Sequence, residues 1–140
     1  MIPSDDSKTA KDRTHAFPFL AGVATSGYQC EGGFNGDGQP KNNWAAHEMS
    51  GRVARTGTAT DFWNRYRDDF ELCQGMGLNA FRLSIEWARV QPGDLLVAGP
   101  APDFDLAAID AYAERIAACR LAGLEPVVTL HHFTLSLIHI

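Results

Sequence analysis

The amino-acid sequence predicts an α/β fold built on a parallel sheet. Three short apolar segments alternate with two amphipathic helical patterns along the chain, and this strand-helix-strand-helix-strand order is typical of parallel sheets. The strand segments are almost continuously apolar, as in sheets covered on both faces. The pattern fits a doubly wound sheet and a barrel equally. Because a complete eight-stranded barrel takes about 250 residues, the 140 residues suffice only for its first part.

Composition and charge argue against several classes of protein. The chain is 45% hydrophobic, and 12 Lys and Arg stand against 17 Asp and Glu, a formal net charge of −5. This balance, without a basic cluster, argues against nucleic acid or an anionic membrane as a partner. No apolar run approaches the roughly 20 residues of a membrane-spanning helix. Residues 1–15 lack the apolar core of a secretory signal, so we expect a cytoplasmic protein with reduced cysteines.

The first predicted strand covers residues 19–25, a short apolar run bounded by Pro18 and Gly27. Before it, residues 1–16 show neither helical nor strand periodicity, and we expect a flexible leader there. After it, residues 31–57 are rich in Gly, Asn and Pro, which predicts one long loop. Loops of this length in a compact fold are usually functional or mobile.

The first helix is predicted to begin near Thr58, because Thr58 and Asp61 have the spacing of a capping box. Apolar residues at intervals of three and four predict its buried face: Phe62, Tyr66, Phe70, Cys73 and Met76. Gly75 and Gly77 are expected to end this helix.

The second strand is predicted over residues 80–85, where apolar and polar side chains alternate strictly. Its apolar face consists of Phe81, Leu83 and Ile85. Arg82 lies on the opposite face of this strand. A turn-rich segment follows, since Pro and Gly recur over residues 92–102.

The second helix is predicted to begin at Asp103 or Asp105, because either side chain is a suitable N-cap. Its predicted buried stripe is Leu106, Ile109, Ala113, Ile116 and Leu121. Gly123 is expected to close the helix. The largely apolar residues 125–132 then predict the third strand.

Polar side chains follow each predicted strand at its carboxyl end, where active-site groups gather in parallel α/β folds. The three groups are residues 28–31, Arg82 with Glu86 and Trp87, and His131 with His132. An unpaired arginine buried in an apolar strand costs several kcal/mol, so Arg82 needs a carboxylate or an anionic ligand. A structural ion pair and a functional role satisfy this requirement equally.

The adjacent histidines raise the question of a metal site. Neighbouring residues on a strand point to opposite faces, so His131 and His132 could bind one ion only if the strand ended between them. The sequence therefore predicts no metal site.

Three phrases resemble the signatures of glycoside hydrolase family 1, the retaining β-glucosidase and β-galactosidase family. Residues 19–32 are similar to its opening signature, a strand followed by Ser-Ala-Tyr-Gln-x-Glu-Gly, and residues 77–92 and 123–133 resemble its second-strand and third-strand signatures. This resemblance covers residues 17–134 and implies the first part of a (β/α)₈ TIM barrel, about three strands and two helices. The tail 135–140 departs from the family pattern and is a candidate for foreign sequence.

The resemblance also implies hydrolysis of a terminal β-linked sugar with retention of configuration, on a small-molecule β-glycoside or oligosaccharide and without metal or organic cofactor. Gln29 and His132 match the glutamine and the histidine that hydrogen-bond hydroxyls of the terminal sugar. Arg82 matches the arginine beside the nucleophile, where a cation keeps a carboxylate anionic. Glu31 and Glu86 match neither catalytic carboxylate and are interpreted either as structural groups or as groups that support the residues in contact with the sugar.

Retaining hydrolysis needs two carboxyl groups, and the matched phrases contain neither. In the family the acid/base lies in a Thr-x-Asn-Glu-Pro phrase after strand four and the nucleophile in a Thr-Glu-Asn-Gly phrase after strand seven, so both are expected beyond Ile140. We therefore expect a longer parent to be the enzyme and the 140 residues alone to be inactive. A non-catalytic module that binds sugar or protein is the alternative. An unrelated doubly wound enzyme fits less well, because no Gly-rich phosphate loop follows the first strand.

Overall fold

The computed structural model describes residues 19–34, 36, 38–93 and 103–135. Its elements in chain order are β1 (Gly22–Ala24), a π-helical segment (Gly27–Glu31), α1 (Asn43–Met49), α2 (Phe62–Gly75), β2 (Ala80–Ser84), α3 (Trp87–Val90), α4 (Leu106–Leu121) and β3 (Glu125–Thr129). The predicted leader 1–16 and residues 136–140 of the predicted tail lie outside the described residues. None of the helices in the described ranges is long and apolar enough to cross a membrane.

The three strands form one parallel sheet with β2 in the centre. β1 pairs with β2, with Ala24 beside Arg82, and β2 pairs with β3, with Ser84 beside Thr129. The carboxyl ends of all three strands therefore lie at one edge of the sheet. Since α2 connects β1 to β2 and α4 connects β2 to β3, the predicted α/β order is confirmed.

The main core lies between the central strand and helices α2 and α4. The ring of Phe81 on β2 stacks on Phe62, with centroids 5.5 Å apart, and meets Phe70 edge-on at 4.9 Å. Four of the five residues predicted for the apolar face of α2 are buried: Phe62, Tyr66, Phe70 and Cys73. The fifth, Met76, is 64% exposed because it is the C-cap residue, beyond the last helical turn.

The start of α2 differs from the predicted capping box. Asp61 is the N-cap residue in a left-handed conformation, φ 56°, and its side chain caps no backbone N–H. Its Oδ1 instead accepts a hydrogen bond from Asn64 Nδ2 at 2.7 Å. The end of the helix agrees with the prediction, since Gly75 is its last residue and Gly77 has φ +75°.

The predicted buried stripe of α4 is wrong at four of its five positions, and only Ile116 is partly buried against the core. Asp105 does cap this helix, because its side chain accepts from the backbone N–H of Ala108. The buried residues, however, are Tyr112, Arg115, Ala118 and Cys119, whereas Leu106, Ile109, Ala113 and Leu121 are exposed. Tyr112 and Arg115 bring polar ends to partners inside the fold, and a hydropathy pattern assigns such residues to the surface.

Three other predictions need correction. Only β2 is buried, while the edge strands β1 and β3 are largely exposed rather than covered on both faces. The third strand ends at Thr129, so both histidines lie beyond it. The predicted loop 31–57 contains α1, in which the Asn42 side chain caps the helix by accepting from Ala45 N. This seven-residue helix is too short to produce a sustained hydrophobic period.

Candidate active site

The guanidinium of Arg82 connects the ends of the three strands. From its position on β2, its Nη1 donates to the carbonyl oxygen of Thr25, just after β1, at 2.6 Å. Its Nε donates to Oγ1 of Thr129, the last residue of β3, at 2.7 Å. Its Nη2 lies 2.8 Å from Nδ1 of His132 in the following loop. Because a guanidinium is planar and rigid, these three contacts determine its orientation.

No carboxylate pairs with Arg82 among the described residues. The ion pairs found there are Arg65 with Asp68, Arg67 with Glu114 and Arg89 with Glu31. The three partners of Arg82 are neutral and use three of its five N–H donors. The half-buried guanidinium thus retains its charge and two donors, and the expectation that it meets an anion stays a prediction.

His132 is held in one tautomer. An arginine only donates, so Nδ1 of His132 accepts and the ring proton is on Nε2. Partial burial of the ring, and next the charges of Arg82 and His131, lower the pKa of His132 below its usual value. The neutral ring therefore offers Nε2–H as a hydrogen-bond donor. Within the described ranges, neither His131 nor His132 belongs to a group of three or more metal-ligating side chains.

Gln29 lies in the π-helical segment after β1, with an exposed side chain. The hydroxyl of Ser26 donates to Gln29 Oε1 at 2.6 Å, so the Nε2 amide group is the end of the side chain that this contact leaves as a donor. Gln29 lines a cavity of about 390 Å³ together with Tyr28, Trp44, Glu48, Val53, Ala54, Thr56 and Phe133. This volume is within the range of about 300–1,000 Å³ typical of small-molecule sites.

The cavity lies next to the Arg82–His132 pair. Phe133 forms part of its wall, and the rings of His132 and Phe133 are 5.1 Å apart. Trp44 meets Phe133 edge-on at 5.8 Å, which completes an aromatic wall. The structure thus brings together Gln29, Arg82 and His132, which the sequence analysis selected, and adds Trp44 and Phe133, which it did not. The adjacency of Phe133 to the histidine pair was the sequence signal for that ring.

A cluster of hydrogen-bonded polar side chains lines part of the cavity. Tyr28 donates its hydroxyl to the carboxylate of Glu48, and the backbone N–H of Thr56 donates to the same oxygen at 2.8 Å. Burial, and then the hydrogen bond to Glu48, raise the pKa of Tyr28 to about 12. Tyr28 therefore stays protonated near neutral pH and serves as a donor that joins the segment after β1 to α1.

Glu31 belongs to a second buried cluster. Its carboxylate receives Arg89 Nε at 2.7 Å and the hydroxyl of Tyr112 at 2.8 Å. Burial raises the pKa of Glu31, and Arg89 opposes the shift. The guanidinium of Arg89 also lies over the ring of Trp63, 3.8 Å from its centroid. This arrangement supports the structural interpretation of Glu31.

Comparisons with known proteins point in one direction. The family model described as Glycosyl hydrolase family 1 matches residues 12–138. The chain is 37% identical to beta-glucosidase 47 of Arabidopsis thaliana over 128 residues, 87% of this chain and 23% of that protein. It is 36% identical to a 6-phospho-beta-galactosidase of Staphylococcus aureus over 115 residues, 82% of this chain and 23% of that protein.

Solved structures agree with these relatives. A β-glycosidase from Pyrococcus horikoshii matches with a TM-score of 0.70 at 39% identity, covering 86% of this chain and 26% of that one. A family 1 β-glucosidase from Thermotoga maritima matches with a TM-score of 0.67 at 31% identity, covering 86% and 27%. The chain spans about a quarter of the length of its relatives. These neighbours confirm the predicted first part of a (β/α)₈ barrel.

Proposed function

Because this chain belongs to glycosyl hydrolase family 1, we propose that it is the N-terminal part of a retaining, β-glucosidase-like glycosidase that hydrolyses terminal β-linked sugars. The observation that carries the proposal is the contact between Arg82 and His132 beside the cavity that Gln29 lines. These are the three residues that the family resemblance assigns to the site, and each lies on or after a different one of three successive strands. Such convergence is the usual arrangement of a barrel active site.

Arg82 is proposed as the partner of the catalytic nucleophile. In retaining hydrolysis a carboxylate attacks the anomeric carbon, the glycosidic bond breaks as the acid protonates the leaving oxygen, and water later releases the sugar. The nucleophile must be ionised, and a neighbouring guanidinium lowers its pKa. Arg82 suits this role because its charge is not neutralised within the described residues and its orientation is determined by Thr25, Thr129 and His132.

Gln29 and His132 are proposed to bind hydroxyl groups of the terminal sugar. His132 offers Nε2–H, because Arg82 occupies its Nδ1. Gln29 offers its Nε2 amide, because Ser26 occupies Oε1. Both side chains are therefore oriented as donors before substrate arrives, and hydrogen bonds that strengthen in the transition state raise the rate of the chemical step.

We further propose that the 140 residues alone hydrolyse no glycoside. Retaining hydrolysis requires two carboxyl groups about 5–5.5 Å apart, and the family pattern assigns both to segments that this chain does not match. The three buried glutamates among the described residues already have partners: Glu31 pairs with Arg89, Glu48 accepts from Tyr28 and Thr56, and Glu86 accepts from Asn42 and Thr134.

The proposal can be tested with a fusion in which this chain replaces the segment that it matches in the Pyrococcus horikoshii β-glycosidase. We expect the fusion to hydrolyse a chromogenic aryl β-glucoside and to release the β-anomer first, as observed by NMR. This chain alone and the recipient without its matching segment are the controls, and both should be inactive. A folded fusion without hydrolytic activity would refute the proposed function.

A further inference from the structure

Glu86 is a buried carboxylate that the proposed reaction does not use. It follows β2 as the N-cap residue of α3 and is 2% exposed. Its Oε2 accepts the hydroxyl of Thr134 at 2.6 Å, and its Oε1 accepts Nδ2 of Asn42 at 3.2 Å. These donors come from the loop after β3 and the loop before α1. One carboxylate thus joins the polypeptide segments that follow all three strands.

The segment after β1 also packs directly against this side chain. A Cβ atom added to Gly27 would lie 2.8 Å from Glu86 Cβ and 3.1 Å from its Oε2. Gly27 is held from the other side, because its N–H donates to Ser84 Oγ at 2.7 Å. The backbone two residues before Gln29 therefore rests on Glu86.

Thr134 connects Glu86 to His132. The N–H of Thr134 donates to the carbonyl oxygen of His132 at 2.6 Å. The intervening Phe133 has φ 44°, a left-handed conformation that a bulky side chain rarely adopts. Such a conformation persists only where the surroundings hold it, and the hydrogen bond from Thr134 to Glu86 is one of the contacts that do so.

Asn42 connects Glu86 to the aromatic wall. Its Oδ1 caps α1 through Ala45 N at 2.8 Å while its Nδ2 donates to Glu86. Trp44 on this helix meets Phe133 in the wall of the cavity. The two segments that contribute Trp44 and Phe133 to the aromatic wall are therefore hydrogen-bonded to the same carboxylate.

We propose that Glu86 is a positioning residue, which holds the turn at residues 132–134 and the start of α1 so that His132 meets the sugar. This inference deepens the proposed function and rests on it. A buried carboxylate is a weak source of stability compared with an apolar residue of similar volume. Burial raises the pKa of Glu86, and the hydrogen bonds from Thr134 and Asn42 oppose that shift. We therefore attribute this buried carboxylate to the positioning of the segments that carry Thr134 and Asn42, and not to a gain in stability.

The test uses the active fusion described above and measures kcat and KM with the aryl β-glucoside. Glu86→Ala should lower kcat/KM by about tenfold or more, since small misplacements of a site residue carry costs of up to about 10²-fold. Thr134→Val removes the same hydrogen bond from the partner side and should produce a similar loss. Glu86→Gln keeps an oxygen acceptor for Asn42, and its Nε2 can donate to the Thr134 hydroxyl, so this variant should retain most of the activity. Arg65→Gln, on an exposed ion pair, is the matched control.

A double-mutant cycle with His132 separates positioning from general stability. If Glu86 acts through His132, Glu86→Ala should cost less than about twofold in kcat/KM when His132 is already alanine. Equal losses in both backgrounds, or a loss that follows the melting temperature, would overturn the inference. Thr134→Val supplies the same cycle if the alanine variant fails to fold. A fusion that is inactive with Glu86 present refutes the proposed function and this inference together, whereas an active fusion with additive losses refutes only the inference.

Discussion

Two ion pairs of this chain have the same length but different burial, and this difference predicts very different energetic roles. Arg89 meets Glu31 and Arg67 meets Glu114, each with N···O at 2.7 Å. The side chains of the first pair are 10% and 2% exposed, and both side chains of the second pair are 59% exposed. Water screens the exposed pair, whereas the buried pair has already lost its hydration.

Arg89→Ala should therefore destabilise the fold strongly. The substitution leaves the buried Glu31 carboxylate without a cation, which costs about 3–5 kcal/mol. It also removes the hydrogen bond from Arg89 Nη2 to the carbonyl oxygen of Gly32 at 2.7 Å. Because an entire domain is stable by only about 5–15 kcal/mol, the midpoint of urea unfolding should fall far or vanish. Arg67→Ala should leave that midpoint within error, as followed by tryptophan fluorescence.

The loss caused by Arg89→Ala should also depend on pH. Burial raises the pKa of Glu31, and Arg89 acts against that shift, so removing the arginine raises the pKa further. A carboxyl group whose pKa is raised by folding favours the folded state below its unfolded pKa, and this contribution is lost as pH rises through the folded pKa. The destabilisation should therefore shrink as pH falls from 7 towards about 4, near the unfolded pKa of Glu. Equal midpoint shifts for the two arginine variants, or a buried-pair loss that is constant with pH, would refute this reasoning.

Three further predictions follow from other parts of the structure. Gly27→Ala should reduce the free energy of unfolding by about 1–3 kcal/mol, because the added Cβ would lie 2.8 Å from Glu86 Cβ. The melting temperature should fall accordingly, and an unchanged melting curve would contradict this packing. In the fusion, Arg82→Ala should slow glycosyl-enzyme formation by about 10²-fold or more, measured as the burst of aryl leaving group, and a wild-type burst would remove Arg82 from the site. Phe70→Ala should cost about 3–5 kcal/mol, whereas the exposed Met76→Ala should cost little, and equal shifts in urea midpoint would contradict the assigned core.

Local sequence patterns predicted the elements that show strand alternation, helical spacing of apolar residues or a capping side chain. The alternation around Arg82 identified β2, and the spacing from Phe62 to Cys73 identified the buried face of α2. The start of α4 was narrowed to Asp103 or Asp105, and Asp105 is the cap. In each case the information lies within a few residues along the chain, where helical and strand periods are expressed. The order of these elements then sufficed to predict the parallel sheet.

The incorrect predictions for α4 and α1 share a different physical cause, which is polar contact between residues distant in sequence. The buried face of α4 is determined by Tyr112, which donates to Glu31, and by Arg115, whose guanidinium lies 3.7 Å from the ring centroid of Trp63. Both partners are distant in sequence, so no local hydropathy pattern contains them. Similarly, α1 depends on an asparagine cap and on contacts with the loop after β3, where Asn43 N donates to Leu135 O at 2.9 Å. Long-range polar contacts of this kind become visible only when the strands are paired.

In the candidate site, too, local patterns predicted the residues but not their contacts. The sequence identified Gln29, Arg82 and His132 because they follow or occupy strands. The contact between Arg82 and His132 depends on the pairing of β2 with β3, which puts Arg82 opposite Val127 and Ser84 opposite Thr129. A carboxylate partner for Arg82 was expected, and its observed contacts are neutral. Because neutral groups orient the guanidinium, Arg82 keeps the same orientation in the proposed reaction whether the nucleophile is ionised or bonded to the sugar. The cation can then stabilise the carboxylate before attack, and the loss of that negative charge on glycosylation does not release Arg82 from its place.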